Sequence, residues 1–121
     1  MKKIKVLQFP MGNSKDGVTQ YALENWRFID KSRFQFDFAT LSKERLDFED
    51  RLASQGCKVH YIACHAEIDR EQFIRDMHKI FDESYDVLHL HTSSWKSFLV
   101  EQIAIERKVP VIIVHSISVT I

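Results

Sequence analysis

An excess of charge of either sign is missing: across 121 residues, 17 Lys and Arg balance 17 Asp and Glu, leaving a formal net charge of zero. Nucleic-acid binders carry a basic field that neutralises phosphates, so that class is not expected, and neither is electrostatic capture by an anionic membrane. No apolar run approaches the ~18 residues of a membrane-spanning helix. Lys2 and Lys3 could imitate the start of an export signal, but Lys5, Gln8 and Pro10 break the apolar stretch behind them. Of the two cysteines, Cys57 and Cys64, one lies at each end of an expected strand. Seven residues of strand hold their α-carbons about 23 Å apart, beyond disulfide reach, and a cytoplasmic setting is expected. Glycine is scarce, at three residues. The dinucleotide fingerprint G-x-G-x-x-G is therefore absent. Gly12 and Gly17 have the spacing of a P-loop, with Thr19 in place, but Val18 stands where the phosphate-binding lysine is required.

What is present is an alternation of strands and helices with 45% apolar residues, enough for one core. Ile4–Phe9 reads as a strand ended by Pro10, and Gly17–Ile29 as a helix with Val18, Ala22, Trp26 and Ile29 at helical spacing. Strand 34–40, helix 46–55 (stopped by Gly56), strand 58–63 and helix 69–83 follow. Asp69 is the expected N-cap of that helix, with Gln72 completing a capping box, and its charged face of Arg70, Glu71, Arg75, Asp76 and Lys79 reads as solvated. Strand 86–91, helix 94–107 and strand 111–114 close the series, without repeats, linkers or low-complexity runs.

Such alternation demands a mostly parallel sheet with helices on both faces, and right-handed crossovers constrain its layout. With the first strand central, the order becomes 3-2-1-4-5: an α/β, Rossmann-like sheet. Strand order reverses between the first and fourth strands, and ligands of open parallel sheets bind there, beyond the carboxyl ends. Pro10–Asp16, His91 and His115 should therefore meet. Val111–Val114 is apolar throughout, as in a strand buried on both faces, yet only seven residues follow it. One face of the last two strands should stay bare, so residues 1–121 are read as one domain, incomplete at its C-terminal end.

Few groups could carry chemistry. The start of the helix at Gly17 offers free backbone N–H groups and a partial positive charge, suited to phosphate, although Asp16 is equally an ordinary N-cap and would repel one. His89 and His91, two apart on a strand, point to one side and could share a metal ion. The only further ligand in view is His115, so the pair is read instead as a core histidine and a rim histidine, and no metal is expected. Thr92 with His91, and Ser116 with His115, close two strands with groups that hydrogen-bond sugar hydroxyls or phosphate oxygens. Ser93 and Ser94 equally suit helix capping. His60, His65 and His78 read as structural or solvated, and Trp26 and Trp95 as helix-packing residues.

Taken in order, Lys3-Ile4-Lys5-Val6-Leu7, Asp16-Gly17-Val18-Thr19, Phe34-Gln35-Phe36-Asp37-Phe38, Asp86-Val87-Leu88-His89-Leu90-His91-Thr92 and Pro110-Val111-Ile112-Ile113-Val114-His115-Ser116 resemble the N-terminal domains of retaining GT-B glycosyltransferases of bacterial surface polysaccharide synthesis. The resemblance runs through nearly the whole chain. It implies a two-domain enzyme with an acceptor-binding N-terminal half and a nucleotide-sugar-binding C-terminal half, the latter absent here. By that similarity Gly17 approaches the donor diphosphate, His115 contacts the transferred sugar, and His91 lines the same cleft, beside the Thr92 and Ser116 already read at the strand ends; no catalytic residue is assigned. No cofactor or metal is implied. The implied partners are a nucleotide-sugar donor and a glycan or lipid-linked acceptor, with peripheral membrane association of the full-length enzyme and a dimer through the exposed sheet face. Asp16 departs from the family's Gly-Gly turn and Thr19 from its glutamate, which puts diphosphate contact in doubt. The competing reading is a non-catalytic flavodoxin-like module for a nucleotide, flavin or protein partner. A signalling receiver domain is disfavoured, because Gln8 and Phe9 stand where an acidic cluster is needed.

Overall fold

Strand and helix alternate throughout residues 2–92 and 97–116, the parts of the chain that the computed structural model describes. The order is β1 (Ile4–Met11), α1 (Gly17–Phe28), β2 (Phe34–Thr40), α2 (Glu49–Ser54), β3 (Val59–Tyr61), α3 (Arg70–Phe81), β4 (Val87–Thr92), α4 (Leu99–Glu106) and β5 (Val111–Ser116). All strand pairs are parallel, and the sheet runs β3-β2-β1-β4-β5, the expected order.

Alternate residues of a strand point to opposite faces, which divides the core in two. Leu7 and Phe9 of β1 and Leu88 and Leu90 of β4 face α3 and α4, where Phe73, Met77, Ile80 and Ile103 meet them. Val6, Phe36 and Phe38 face the other way, against Ala22 and Trp26 of α1 and Leu52 of α2. Each fully buried side chain of this size contributes about 1.5–3 kcal/mol. The remaining side of β5 is bare: Val111 and Ile113 are each 46% exposed, whereas Ile112 and Val114 pack into the core. Although the apolar run of β5 suits burial on both faces, no helix of the described residues covers its α1 side, so that side is bare as expected.

Several boundaries differ from expectation for identifiable reasons. β1 continues past Pro10 to Met11, because its register with β2 shifts between Gln8 and Met11 and the missing N–H falls at that interruption. α2 starts at Glu49, not Leu46. Leu46 and Phe48 are both buried in the same core, and residues two apart on a helix cannot face one way. Asp69 caps α3 by accepting the Gln72 N–H at 3.1 Å. The Gln72 amide donates to Asp76 Oδ1 at 2.8 Å, so the capping box is half made. Asp76 is more than a solvated charge: its Oδ2 accepts the Ala63 N–H at 2.9 Å. Trp26 packs α1 on the sheet, as expected. Ser93, Ser94 and Trp95 lie outside the described residues. Among the described residues, no helix is long and apolar enough to cross a membrane. Cys57 and Cys64 are free thiols, and burial pushes the Cys57 thiol up to about 11.

A buried polar group ties the lower half of the sheet. Asp37, on β2, is 2% exposed. It accepts the Tyr85 hydroxyl at 2.5 Å, the Lys58 N–H at 2.9 Å and the Gln35 amide at 3.0 Å. The Tyr85 oxygen, its proton given to Asp37, accepts from His60 Nε2 at 2.8 Å. Burial and Asp37 both hold the Tyr85 phenol in its neutral form, above its ordinary pKa. His60 is therefore structural.

Candidate functional site

Register builds the site. In the β4–β5 ladder His91 stands opposite His115 and Thr92 opposite Ser116, while in the β1–β4 ladder Gln8 stands opposite His89. Neighbouring strands lie about 4.8 Å apart, so side chains at matched positions on one face must touch. The ring nitrogens Nδ1 of His91 and Nδ1 of His115 are 3.1 Å apart. His89, two residues back on the same face, brings its ring centroid within 4.2 Å of that of His91. One ring nitrogen from each of the three histidines lies within 4.8 Å of one from each of the others. Tyr21, on α1, closes the cluster from above with its ring centroid 4.7 Å from that of His115 and 6.0 Å from that of His91.

The proton arrangement follows from Gln8. Its side chain is buried on the central strand, and its Oε1 lies 2.7 Å from His91 Nε2. An amide oxygen only accepts, so His91 carries its proton on Nε2 and turns the Nδ1 lone pair toward His115. The proton between the two Nδ1 atoms then belongs to His115. Burial pushes the His91 imidazole down to about 3, with the neighbouring His89 and His115 adding to the effect. Burial first, and His115 second, likewise lower His89. Both rings are neutral at physiological pH.

A cavity of about 570 Å³ opens beyond the carboxyl ends of β1 and β4, lined by Phe9, Pro10, His65, His91, Thr92 and Glu101 among others. It lies where strand order reverses. A second, also about 570 Å³, lies beside it and is lined by Pro10, Gly12, Asp16, Arg45 and His65. His65, expected to be structural or solvated, thus lines both; only the loop path after β3 puts it there.

The structure brings His91 and His115 together on the α1 face of the sheet; Thr92 stands opposite Ser116, which is exposed at the rim, one position on and so on the other face. Gly17 stands apart. It opens α1 in an exposed position, lines neither cavity, and a β-carbon added to it would meet nothing within 4 Å. The contribution of α1 to the histidines comes one turn later, from Tyr21. Asp16 occupies the N-cap position but makes no side-chain bond to the helix backbone. Its Oδ2 instead accepts the Thr19 hydroxyl at 3.1 Å, and Thr19 accepts the Gly12 N–H at 2.7 Å. Thr19 is spent on holding the loop closed.

Gln8 and Tyr21 were not singled out from the sequence. A glutamine between Leu7 and Phe9 in a central strand is a usable signal, since a buried amide needs a partner. Tyr21 gave none beyond its place beside the apolar stripe of α1.

No protein-family profile matches the sequence, and no solved structure matches it. Among curated proteins, it is similar to one from Bacillus subtilis (strain 168) named "Putative glycosyltransferase EpsF", with 25% identity over 97 residues. The match takes in 78% of this chain but 25% of that protein, so the chain spans about a quarter of the length of the relative it matches.

Proposed function

We propose that this chain is the N-terminal, acceptor-side part of a glycosyltransferase of the GT-B type, which moves a sugar from a nucleotide-diphosphate sugar to a hydroxyl acceptor in surface polysaccharide synthesis. The observation that carries the reading is the meeting of His91 and His115 at the rims of adjacent strands, beside the cavity at the reversal of strand order. The similarity to EpsF supports the reaction class. In this reading the chain supplies one wall of a cleft, a donor-binding domain supplies the other, and residues 1–121 do not catalyse alone.

The roles follow from chemistry already described. His115 gives its Nδ1 proton to His91, which leaves its Nε2 to accept from a sugar hydroxyl. Thr92 and Ser116 add hydroxyls on the same two strands. Work of this kind is positioning, and holding reacting groups in line can supply a large part of a rate enhancement. Gly17, open to solvent beside an uncapped helix start, leaves room for a diphosphate to approach the backbone, against the charge of Asp16.

The test is sugar transfer by the longer protein that carries this chain, across a panel of nucleotide-diphosphate sugars. Transfer is expected, with His115→Ala lowering kcat tenfold or more at unchanged melting temperature. Absence of transfer with every donor, together with tight flavin mononucleotide binding by this chain in calorimetry, would replace the reading with the flavodoxin-like module.

A further inference from the structure

The three histidines form a closer group than sugar binding requires. They come from two adjacent strands, share one face, and lie under a single aromatic ring. Two nitrogens held by a tetrahedral ion at 2.0–2.1 Å are about 3.4 Å apart. The His91 and His115 Nδ1 atoms already stand at 3.1 Å, and a His89 nitrogen is within 4.8 Å of its counterparts. An ion could sit between the first two with little backbone movement, and His89 would need only a ring adjustment.

Orientation supports the same conclusion. A metal-ligating histidine usually donates its second ring N–H to an oxygen that fixes the tautomer. His91 does this: Nε2–H is held by Gln8 Oε1 at 2.7 Å, and the Nδ1 lone pair, which accepts from His115, points into the cluster. Gln8 is 1% exposed and His91 3%, so this arrangement is built into the sheet and is not a surface accident. The ligand set is all imidazole, which suits zinc, nickel or copper and is wrong for calcium or magnesium, which need oxygen ligands.

We propose that His89, His91 and His115 form a binding site for a divalent transition-metal ion, zinc by chemical class, with Gln8 as the group that orients His91. On loading, the ion takes the Nδ1 lone pairs of His91 and His115. The proton that His115 Nδ1 shares with His91 leaves that nitrogen, and the neutral ring carries it on Nε2. The fourth position is filled by water, which reaches the cluster past Tyr21, itself 44% exposed.

This inference does not rest on the transferase reading, and its readouts differ. The chain is stripped with chelator and titrated with zinc chloride by calorimetry and with cobalt chloride by absorption. One ion per chain is expected, with the visible bands of tetrahedral cobalt, which zinc displaces. His89→Ala and His115→Ala should each weaken binding tenfold or more, and Gln8→Leu about 10- to 100-fold, as for other outer partners of metal-bound histidines. Should these variants fold poorly, long-range proton–nitrogen spectra of the unaltered chain serve instead: the imidazole nitrogens of all three residues should shift on zinc addition. No saturable binding, binding that survives both alanine variants, or imidazole signals indifferent to zinc would each overturn the site. Loss of sugar transfer in the longer protein would leave it untouched.

Discussion

His91 is the most constrained residue of the cluster. Its ring is buried, donates from Nε2 to Gln8 and accepts from His115 at Nδ1. In the unfolded chain the same ring titrates at about 6.5; in the folded chain it does so at about 3. With the folded value the lower, the unfolded state binds the extra proton first. Stability is therefore full above pH 6.5 and falls as the pH drops toward 3, at about 1.4 kcal/mol per pH unit for one such group. Chemical denaturation at pH 6.5 and 4.5 should differ by roughly 2–3 kcal/mol from this residue, and His89 adds in the same direction. His91→Asn should flatten that slope; an unchanged slope would show that the ring is already charged in the fold. Gly17 behaves oppositely. Its surroundings are open, so Gly17→Ala should hold or raise stability by up to about 1 kcal/mol through the loss of unfolded-state freedom. A thermal melt checks this. A marked loss would mean that the glycine is needed for the fold itself.

At this scale the sequence was partly legible. The position of His91, Thr92, His115 and Ser116 at the ends of two neighbouring strands was readable from the strand pattern. The third histidine was visible, but its meeting with His115 depends on register between strands whose paired residues lie 24 apart in sequence, which no local pattern encodes. Tyr21 was hidden for the same kind of reason, whereas Gln8, a polar residue inside an apolar central strand, left a signal.

Elements show where local chemistry decides structure and where packing overrides it. α3 was legible from its stripe of Phe73, Met77, Ile80 and Phe81, all buried, and from Asp69 before it. Asp69→Ala removes the acceptor for the Gln72 N–H and should cost about 1 kcal/mol in urea denaturation; a cost near zero would mean that water replaces the cap fully. The start of α2 was not legible. Propensity allows a helix from Leu46, but the shared core claims both Leu46 and Phe48, and the chain enters the helix through a turn instead. The extension of β5 to Ser116 is likewise a tertiary effect, since its last residues are fixed by pairing with Thr92 and His91.

For the whole molecule, sheet order was legible because alternation and the handedness of crossovers leave few layouts. The bare side of β5 was legible too, from the count of helices available to each face. The polar tie beneath the sheet was not: Asp37, Tyr85 and His60 are far apart in sequence, and only the folded sheet joins them. Tyr85→Phe would strip Asp37 of a buried donor. A hydrogen bond to a charged group is worth about 1.5–3 kcal/mol, so the melting temperature should fall accordingly, and a neutral outcome would mean that Asp37 is satisfied without it.

That tie has a consequence for how such a domain can change. The strands β2, β3 and β4 are fastened at their starting ends, where Asp37 gathers Lys58, Tyr85 and, through Tyr85, His60. The opposite end of β4, with its neighbour β5, carries the histidines and hydroxyls, which share none of those bonds. A foundation laid at one end lets the other be refurnished: new rim side chains could recruit a different ligand while the scaffold beneath them stays as it is.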